Sequence, residues 1–379
     1  MANKLKKLQI TFSDQTISNV EKDAIYLFHL EEGISRPYGG YAKVRTKDPI
    51  DIGSMDLTNS YVEIQCGLAP QNDIQVADEL TEERTVWALI RSIKYLGKQS
   101  FEEGSNDVLN DYMLELESPL SRFNHIKSHH FFYKEKIYDI ITKLLSSQKL
   151  LLAGLKLNIN VDRLKTYSWL SENNLSFQQG EESDFDFLNR LLIAYGINYI
   201  QCHSSDGITI FFSADQDFSN DIKEIVCTTD PKMAEGKSAV LLEKFQYGKE
   251  HAAIAGIKEI AENFSSEFLT QNVFGEHRSD TVAQNTLEVK RNIRRRLERD
   301  NAVFSSEVQD LRPIAGFILS DEYDSLFGSK RKFLIEKSVT HLCSIVTETQ
   351  PVKIQLEGIL LKHAKTDLLG SFVPNALLK

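Results

Sequence analysis

The sequence predicts a multidomain α+β protein, mainly β, and three observations carry that prediction. Short alternations of apolar and polar residues, broken by Gly, Pro and Asp, fill both ends of the chain. Two stretches with helical spacing interrupt them near the middle. The length of 379 residues exceeds one ordinary domain, so two or three packed units are expected. A hydrophobic fraction of 41% with 26% charged residues is that of a globular chain able to bury its own cores.

The elements follow in order. Between Ile25 and Ile64, IYLFHLEEGISRPYGGYAKV and YVEIQC alternate as strands do. After a polar, turn-rich stretch from Gly67 to Glu83, TVWALIRSIKYL and DYMLELESPL read as two more, so residues 1 to about 120 form an antiparallel β-barrel or sandwich. The character then changes. Phe132, Ile137, Ile140, Ile141, Leu144 and Leu145 fall at helical spacing and predict an amphipathic helix over 134–147. A second helix is predicted over 183–195: Ser183 caps it with Asp186 at the third helical position, Phe187, Leu188, Leu191, Leu192 and Tyr195 form its apolar face, and Gly196 suits the C-terminal cap. INYIQ and ITIFFS then make a hairpin around HSSDG, which leaves residues 121 to about 215 as an α/β unit between β-rich parts. Beyond it AVLLEKFQYG reads as strand and residues 284–300 as a helix with a partial apolar stripe of Leu287, Ile293 and Leu297. RPIAGFIL, KFLIEKSVTHLCSIV and VKIQLEGILLK restore the β pattern, and no short internal repeat is present.

The charge and the motifs exclude more than they assign. A net charge of −10 opposes general affinity for nucleic acid or anionic membrane. Cys66, Cys202, Cys227 and Cys343 are scattered without a CxxC pair, which points to reduced thiols in a cytoplasmic protein rather than a zinc site or disulfide framework. The N-terminal lysines are not followed by an apolar region of the signal-peptide type, and no apolar run approaches the ~18–20 residues that span a bilayer. No GxSxG, P-loop, HExxH or GxGxxG occurs in a fitting context. His125, His129 and His130 are the best metal candidates by spacing, but no carboxylate completes them before Glu135, and exposed histidines are the simpler reading. Glu181, Glu182, Asp184 and Asp186 resemble an acid and base set, yet their place at a helix start is explained by the helix dipole and free amide groups. Lys290, Arg291, Arg294, Arg295, Arg296 and Arg299 are interleaved with Glu288, Glu298 and Asp300 and have no aromatic partner for base stacking, as on a solvated or subunit-facing helix.

Specific residues go further than pattern. ESDFDFLNRLLIAYGINYI at 182–200 is similar to the VgrG and phage baseplate hub family's segment of acidic residue, Ser or Thr, Asp, apolar residue and Asp-Phe-Leu-x-Arg-Leu-Leu, followed by Gly-Ile and an aromatic strand. IYLFHLEEGISRPYGGYAKV, TVWALIRSIKYLG and YMLELESPLSRFNHIKSHHFFYKEKIYDIITKLL resemble that family's earlier strands and the passage into its inserted domain. RLERDNAVFSSEVQDLRPIAGFIL resembles its helix-to-strand passage, with Leu311, Pro313 and Phe317 at the pattern positions, and KFLIEKSVTHL its later strand with Val339 and His341. The resemblance runs from about Ile25 to His341. It departs at Ile314, where the pattern usually has glycine, and at Lys379, where a full member continues into an oligonucleotide-binding-like barrel and a trimeric β-helical spike. A fragment, or a needle carried by a separate chain, is therefore expected.

The resemblance implies a phage tail hub-like fold of two barrel-like antiparallel β domains with an α/β insertion. On this chain that means 1–120 as the first hub domain, 121–215 as the insertion, 216–283 and 302–365 as the second hub domain, 284–301 as a helical segment and 366–379 as a tail toward the spike. It implies a structural role: a homotrimer joining a hexameric tube protein to a separate spike protein of barrel and β-helix, among other baseplate proteins, with no enzyme activity, cofactor or metal. Assembly would be cytoplasmic, followed by translocation with the tube and spike. The family's use of Ser183, Asp184, Phe185, Asp186, Phe187, Leu188, Leu191, Leu192 and Gly196 is structural, and Arg190 is expected to pair with a nearby carboxylate. The alternatives are a baseplate-associated cell-wall hydrolase and a phosphate- or nucleic-acid-binding protein using the arginine-rich helix.

Overall fold

The computed structural model describes residues 3–13, 20–55, 57, 60–70, 82–100, 108–146, 155–171, 175–215, 224–228, 239–246, 301–306, 318–320, 332–344 and 352–361. The N-terminal part contributes β1 (Asn3–Phe12), β2 (Ile25–Gly33), β3 (Arg36–Thr46), β4 (Tyr61–Pro70), β5 (Glu82–Ser100) and β6 (Val108–Glu117). The middle holds β7 (Phe131–Glu135), α1 (Ile137–Leu145), β8 (Leu157–Asn160), α2 (Asp162–Lys165), α3 (Ser168–Ser171), β9 (Leu175–Gln178), α4 (Asp184–Tyr195), β10 (Asn198–Ser204) and β11 (Gly207–Ser213). The C-terminal part adds β12 (Glu224–Thr228), β13 (Ala239–Gln246), β14 (Asn301–Ser306), β15 (Ile318–Ser320), β16 (Lys332–Cys343) and β17 (Val352–Leu361).

Among the described residues, the strands of both ends share one 12-stranded sheet in the order β1-β4-β5-β6-β3-β2-β16-β15-β12-β13-β14-β17. A further pairing of β16 with β17 closes the C-terminal strands on themselves. β12 runs parallel to both β13 and β15, while the remaining pairs of this sheet are antiparallel. The N-terminal strands curl around a core whose members follow the period of two. Val62, Ile64 and Cys66 line it from β4, Val86, Ala88 and Ile90 from β5, and Tyr112, Leu114 and Leu116 from β6. Burial pushes the Cys66 thiol up to about 12, so it stays protonated there. In the middle of β3 the strands approach so closely that a Cβ at Gly40 would stand 2.0 Å from the His29 carbonyl oxygen, and glycine is the residue that fits.

A second core belongs to the α/β unit. Ile137, Ile140, Ile141, Leu144 and Leu145 of α1 meet Phe187, Leu188, Leu191, Leu192 and Tyr195 of α4 over Tyr199, Ile210 and Phe212 of the β10–β11 hairpin. β8 joins that hairpin as a parallel strand, with Leu157–Asn160 beside Ile208–Phe211. Helix α4 is set by its ends. The Ser183 hydroxyl accepts from the Asp186 amide at 3.0 Å and donates to the Asp186 carboxylate at 2.7 Å, and Gly196 turns left-handed (φ 61) so that the Ile197 amide reaches the Leu192 carbonyl at 2.9 Å.

Three sequence expectations are corrected. Phe132, counted at helical spacing, lies in strand β7, and α1 begins only at Ile137; its side chain reaches the same core from the strand by alternation. The turn between β10 and β11 is tighter than HSSDG implied, because His203 and Ser204 still belong to the β10 ladder. Asn301, assigned to the helical segment 284–301, opens strand β14 opposite Gln246 and Ile359, while 284–300 lie outside the described residues.

Leu191 is fully buried in the second core. Leu191→Asp is expected to lower stability by about 3–5 kcal/mol, the cost of an unpaired charge in an apolar site. Thermal unfolding followed by circular dichroism checks this: an unchanged melting temperature would contradict the packing of α4.

Candidate functional site: a polar joint between sheet and α/β unit

The β2–β3 turn, β5 and β10 meet in a buried polar seam. Ser35, in the turn, holds a left-handed backbone (φ 54) unusual for a residue with a side chain, and this conformation presents both its amide and its hydroxyl to β10. Its amide donates to the Tyr199 carbonyl at 2.8 Å, its hydroxyl donates to Asn198 Oδ1 at 3.0 Å, and the Tyr199 amide donates back to that hydroxyl at 3.3 Å. Gln201 donates to the Arg36 carbonyl at 3.1 Å and accepts a short hydrogen bond from the Ser118 hydroxyl. Trp87 closes the seam, its indole donating to the Ser204 carbonyl at 2.7 Å and its amide to His203 Nδ1 at 3.2 Å.

Beneath it lies an ion pair inside the curl of the N-terminal strands. Arg84 Nη2 and Glu32 Oε1 are 2.6 Å apart with side chains 4% and 5% exposed. β2 and β5 are separated in the sheet by β3 and β6, so the pair reaches across the interior rather than along it. His203, with no exposed side-chain surface, packs its ring 4.7 Å from that of Tyr38 and brings Nε2 to 3.9 Å from Glu32. Because Nδ1 accepts from Trp87, the proton of the neutral ring sits on Nε2. Burial first, and then the Arg84 guanidinium, hold the His203 pKa well below its ordinary 6.5. Burial and the Glu32 carboxylate push the Tyr38 hydroxyl well above its usual range, and it donates to the Trp87 carbonyl at 2.6 Å. The arrangement orients two parts of the molecule with directional bonds. Among the described residues no group of three His, Cys, Asp or Glu side chains is placed to hold a metal ion.

The residues singled out from sequence fall in three places. Ser183, Asp184, Phe185, Asp186, Phe187, Leu188, Arg190, Leu191, Leu192 and Gly196 are together on α4 and its caps. Asp184, 1% exposed, accepts from Gln179 at 2.9 Å and from the Ser128 hydroxyl at 3.1 Å, so this carboxylate ties two loops to the helix start. Phe187 is fully buried and stacks on Phe132 with centroids 6.0 Å apart, whereas Phe185 is partly buried against the same core. Arg190 binds Glu182 through Nη2 at 2.6 Å and Nε at 3.2 Å and also reaches the Gln178 carbonyl. His341 is elsewhere, in β16 opposite His29, whose ring stacks on Tyr41. Leu311, Pro313 and Phe317 lie outside the described residues, as do the arginine-rich residues 290–299. His125 ends a 3-10 helix (Pro119–His125), and His129 and His130 follow outside any helix, so they do not share a helical face. Sequence reasoning did not single out Glu32, Arg84 or His203. The signal was present: Glu32 continues the inward phase of Phe28 and Leu30, and Arg84 that of Val86, Ala88 and Ile90, which places two charges where only apolar residues belong.

Residues 31–252 match the family model described as phage tail baseplate hub (GPD), and the chain belongs to that family. Among solved structures, the fold is similar to that of the E. coli c3393 protein, a component of the type VI secretion system with structural similarity to T4 bacteriophage tail proteins gp27 and gp5. The TM-score is 0.58 at 14% identity, covering 99% of this chain and 79% of that one. It is also similar to the tail protein from Neisseria meningitidis MC58, with a TM-score of 0.52 at 11% identity and coverage of 93% and 95%. A Francisella PdpA–VgrG complex gives 0.51 at 10% identity, covering 98% of this chain and 61% of that one. No curated protein matches the sequence at a significant level.

Two tests follow from the joint. Arg84→Met should cost about 3–5 kcal/mol in urea unfolding, because Glu32 is left buried and unpaired, whereas the double variant Arg84→Met/Glu32→Leu should recover most of that loss. Equal destabilisation by both would show that the charges are not coupled. The second concerns acid. A histidine whose folded pKa is depressed binds fewer protons folded than unfolded, so its contribution is full above the unfolded value of 6.5 and is lost as pH falls below it. Stability should decline by up to about 1.4 kcal/mol per pH unit below that value, and His203→Gln should flatten the decline. The onset of that loss lies above the onset for Glu31, whose carboxyl is held below its ordinary 4.5 chiefly by its hydrogen bond to Lys337.

Proposed function

We propose that the chain is the structural hub of a contractile injection machine: a homotrimeric adaptor between a six-fold tube and a three-fold spike, without catalytic activity of its own. One observation carries the reading. Among the described residues, the strands before residue 118 and those after residue 223 contribute equal numbers to a single sheet, so each subunit offers two curled β units side by side. Three subunits around one axis then offer six near-equivalent faces to a hexameric tube protein, while the three-fold axis matches a trimeric spike. In this reading residues 1–120 and the β strands of 216–365 are the two hub domains and 121–215 is the inserted domain. The α4 motif is packing for the insertion rather than a reactive site.

The membership in a baseplate hub family supports the structural role. The partners are the tube protein, the spike and other baseplate proteins, with assembly in the cytoplasm and export with the apparatus. Among the described residues no helix is long and apolar enough to cross a membrane. Multi-angle light scattering of the purified chain, alone and with the candidate spike protein, tests the proposal. A trimer is expected in at least the mixture, because a spike binding all three subunits holds them at high effective concentration. A chain that stays monomeric in both, well above micromolar concentration, would overturn it.

A further inference from the structure

Four buried polar atoms around the Glu32–Arg84 ion pair have no hydrogen-bond partner among the described residues: Glu32 Oε2, Arg84 Nε, His203 Nε2 and Ser338 Oγ. Glu32, Arg84 and Ser338 are 6%, 6% and 1% exposed, and the His203 side chain has no exposed surface. All four are neighbours. Arg84 Nη2 and His203 Nε2 approach the same oxygen of Glu32, at 2.6 Å and 3.9 Å, so the guanidinium, the ring and the second carboxylate oxygen are gathered around one carboxyl group. Ser338 stands directly opposite Glu32 in the β16–β2 ladder, which puts its hydroxyl on the same inward face.

These groups do not satisfy one another. The 3.9 Å from His203 Nε2 to Glu32 exceeds the reach of a hydrogen bond, about 2.7–3.2 Å. His203 is not at liberty to turn its N–H elsewhere, because Nδ1 holds the Trp87 amide at 3.2 Å and the ring lies edge-on to Tyr38, 4.7 Å away. The Tyr38 hydroxyl is committed as well, to the Trp87 carbonyl at 2.6 Å. Arg84 Nε and His203 Nε2 only donate, Glu32 Oε2 only accepts, and the Ser338 hydroxyl does either. A species that completes the set must therefore accept on one side and donate on the other. Charge narrows it further. Glu32 and Arg84 cancel, and His203 is kept neutral by burial and by the guanidinium beside it, so a bound cation would face Arg84 and a bound anion would face Glu32. The smallest neutral molecule that accepts and donates is water.

We infer that Glu32, Arg84, His203 and Ser338 hold one buried water molecule, which accepts from Arg84 Nε and His203 Nε2 and donates to Glu32 Oε2 and Ser338 Oγ. Its position gives it a role. Glu32 lies on β2 and Arg84 on β5, His203 on β10 and Ser338 on β16, so the N-terminal strands, the α/β unit and the C-terminal strands share this one partner. A water with four protein partners keeps the directionality of direct hydrogen bonds while spanning a gap that the side chains themselves do not close. The inference uses only these side chains and does not rest on the trimer, the tube or the spike.

A crystal structure of the full chain at a resolution that shows ordered water tests it, with crystals grown once in sodium chloride and once in sodium bromide. One peak is expected at about 2.7–3.2 Å from Arg84 Nε, His203 Nε2, Glu32 Oε2 and Ser338 Oγ, with no anomalous bromide signal. A long-range proton–nitrogen correlation spectrum of the histidine-labelled chain in solution should place the His203 proton on Nε2. The proposal is overturned by an empty position, by a direct bond from His203 Nε2 to Glu32, or by a side chain of the protein filling the site. A bromide peak there, or a His203 proton on Nδ1, would overturn it equally.

Discussion

One strand carries the architecture. β16 pairs with β15 through Lys332–Leu334 and with β2 through Lys337–Cys343, while β17 runs along its other edge from Lys332 to Leu342. The change of partner coincides with a bulge at Glu336, whose carbonyl leaves the β17 ladder and accepts from the Ile34 amide at 3.0 Å. Glu336 and Lys337 then meet charges of the β2–β3 hairpin, Arg36 at 3.7 Å and Glu31 at 3.1 Å. With both edges paired, β16 cannot slip by one residue without turning Leu334, Ser338, Thr340 and Leu342 out of the interior. The register of each end of the chain is thereby fixed by the other.

The α/β unit is attached on a different principle. Two apolar faces pressed together define a distance but tolerate rotation, because burial is nondirectional. Beside the apolar contacts that Leu155 and Ile208 make with the first core, the seam along β10 adds hydrogen bonds from Ser35, Gln201 and Trp87, each with its own direction, around a buried ion pair. Such groups add little net stability when satisfied and cost much when separated from their partners. A joint of this kind selects one orientation sharply, which is what a hub must present to its neighbours.

How far the sequence disclosed this depended on the range of the interaction. Helix α4 was legible because Ser183, Asp186, the apolar stripe and Gly196 all act within one element. Strands β2 to β6 were legible because a half-buried strand writes its period of two into neighbouring residues. β1, β7, β8, β9, β12 and β14 went unread, most of them being short or flanked by polar residues, and Phe132 was misassigned because its one-sided burial suits either period. The pairing of β16 with β2, some three hundred residues apart in sequence, leaves no local mark. The ion pair is intermediate: both charges stand out from the apolar phase of their strands, but neither sequence position names the other.

The consequence for a hub is mechanical. Separating the two ends of the chain within the plane of the sheet requires breaking the β2–β16 ladder, from Leu27–Gly33 against Lys337–Cys343, as one cooperative run, since the bonds of an antiparallel pair lie across the strands. Tilting the α/β unit requires separating Ser35 from Tyr199 and Trp87 from Ser204, and then exposing or stranding Glu32, Arg84 and His203. The first resistance comes from a ladder that any sequence with the right alternation can supply. The second comes from a few residues whose identity matters, Ser35, Glu32, Arg84, Trp87 and His203. A scaffold built this way can exchange most of its apolar side chains and keep its shape, because volume-conserving changes in a strand core cost little while the directional joint keeps the angle. Low sequence identity beneath a shared fold is the outcome that this division of labour permits.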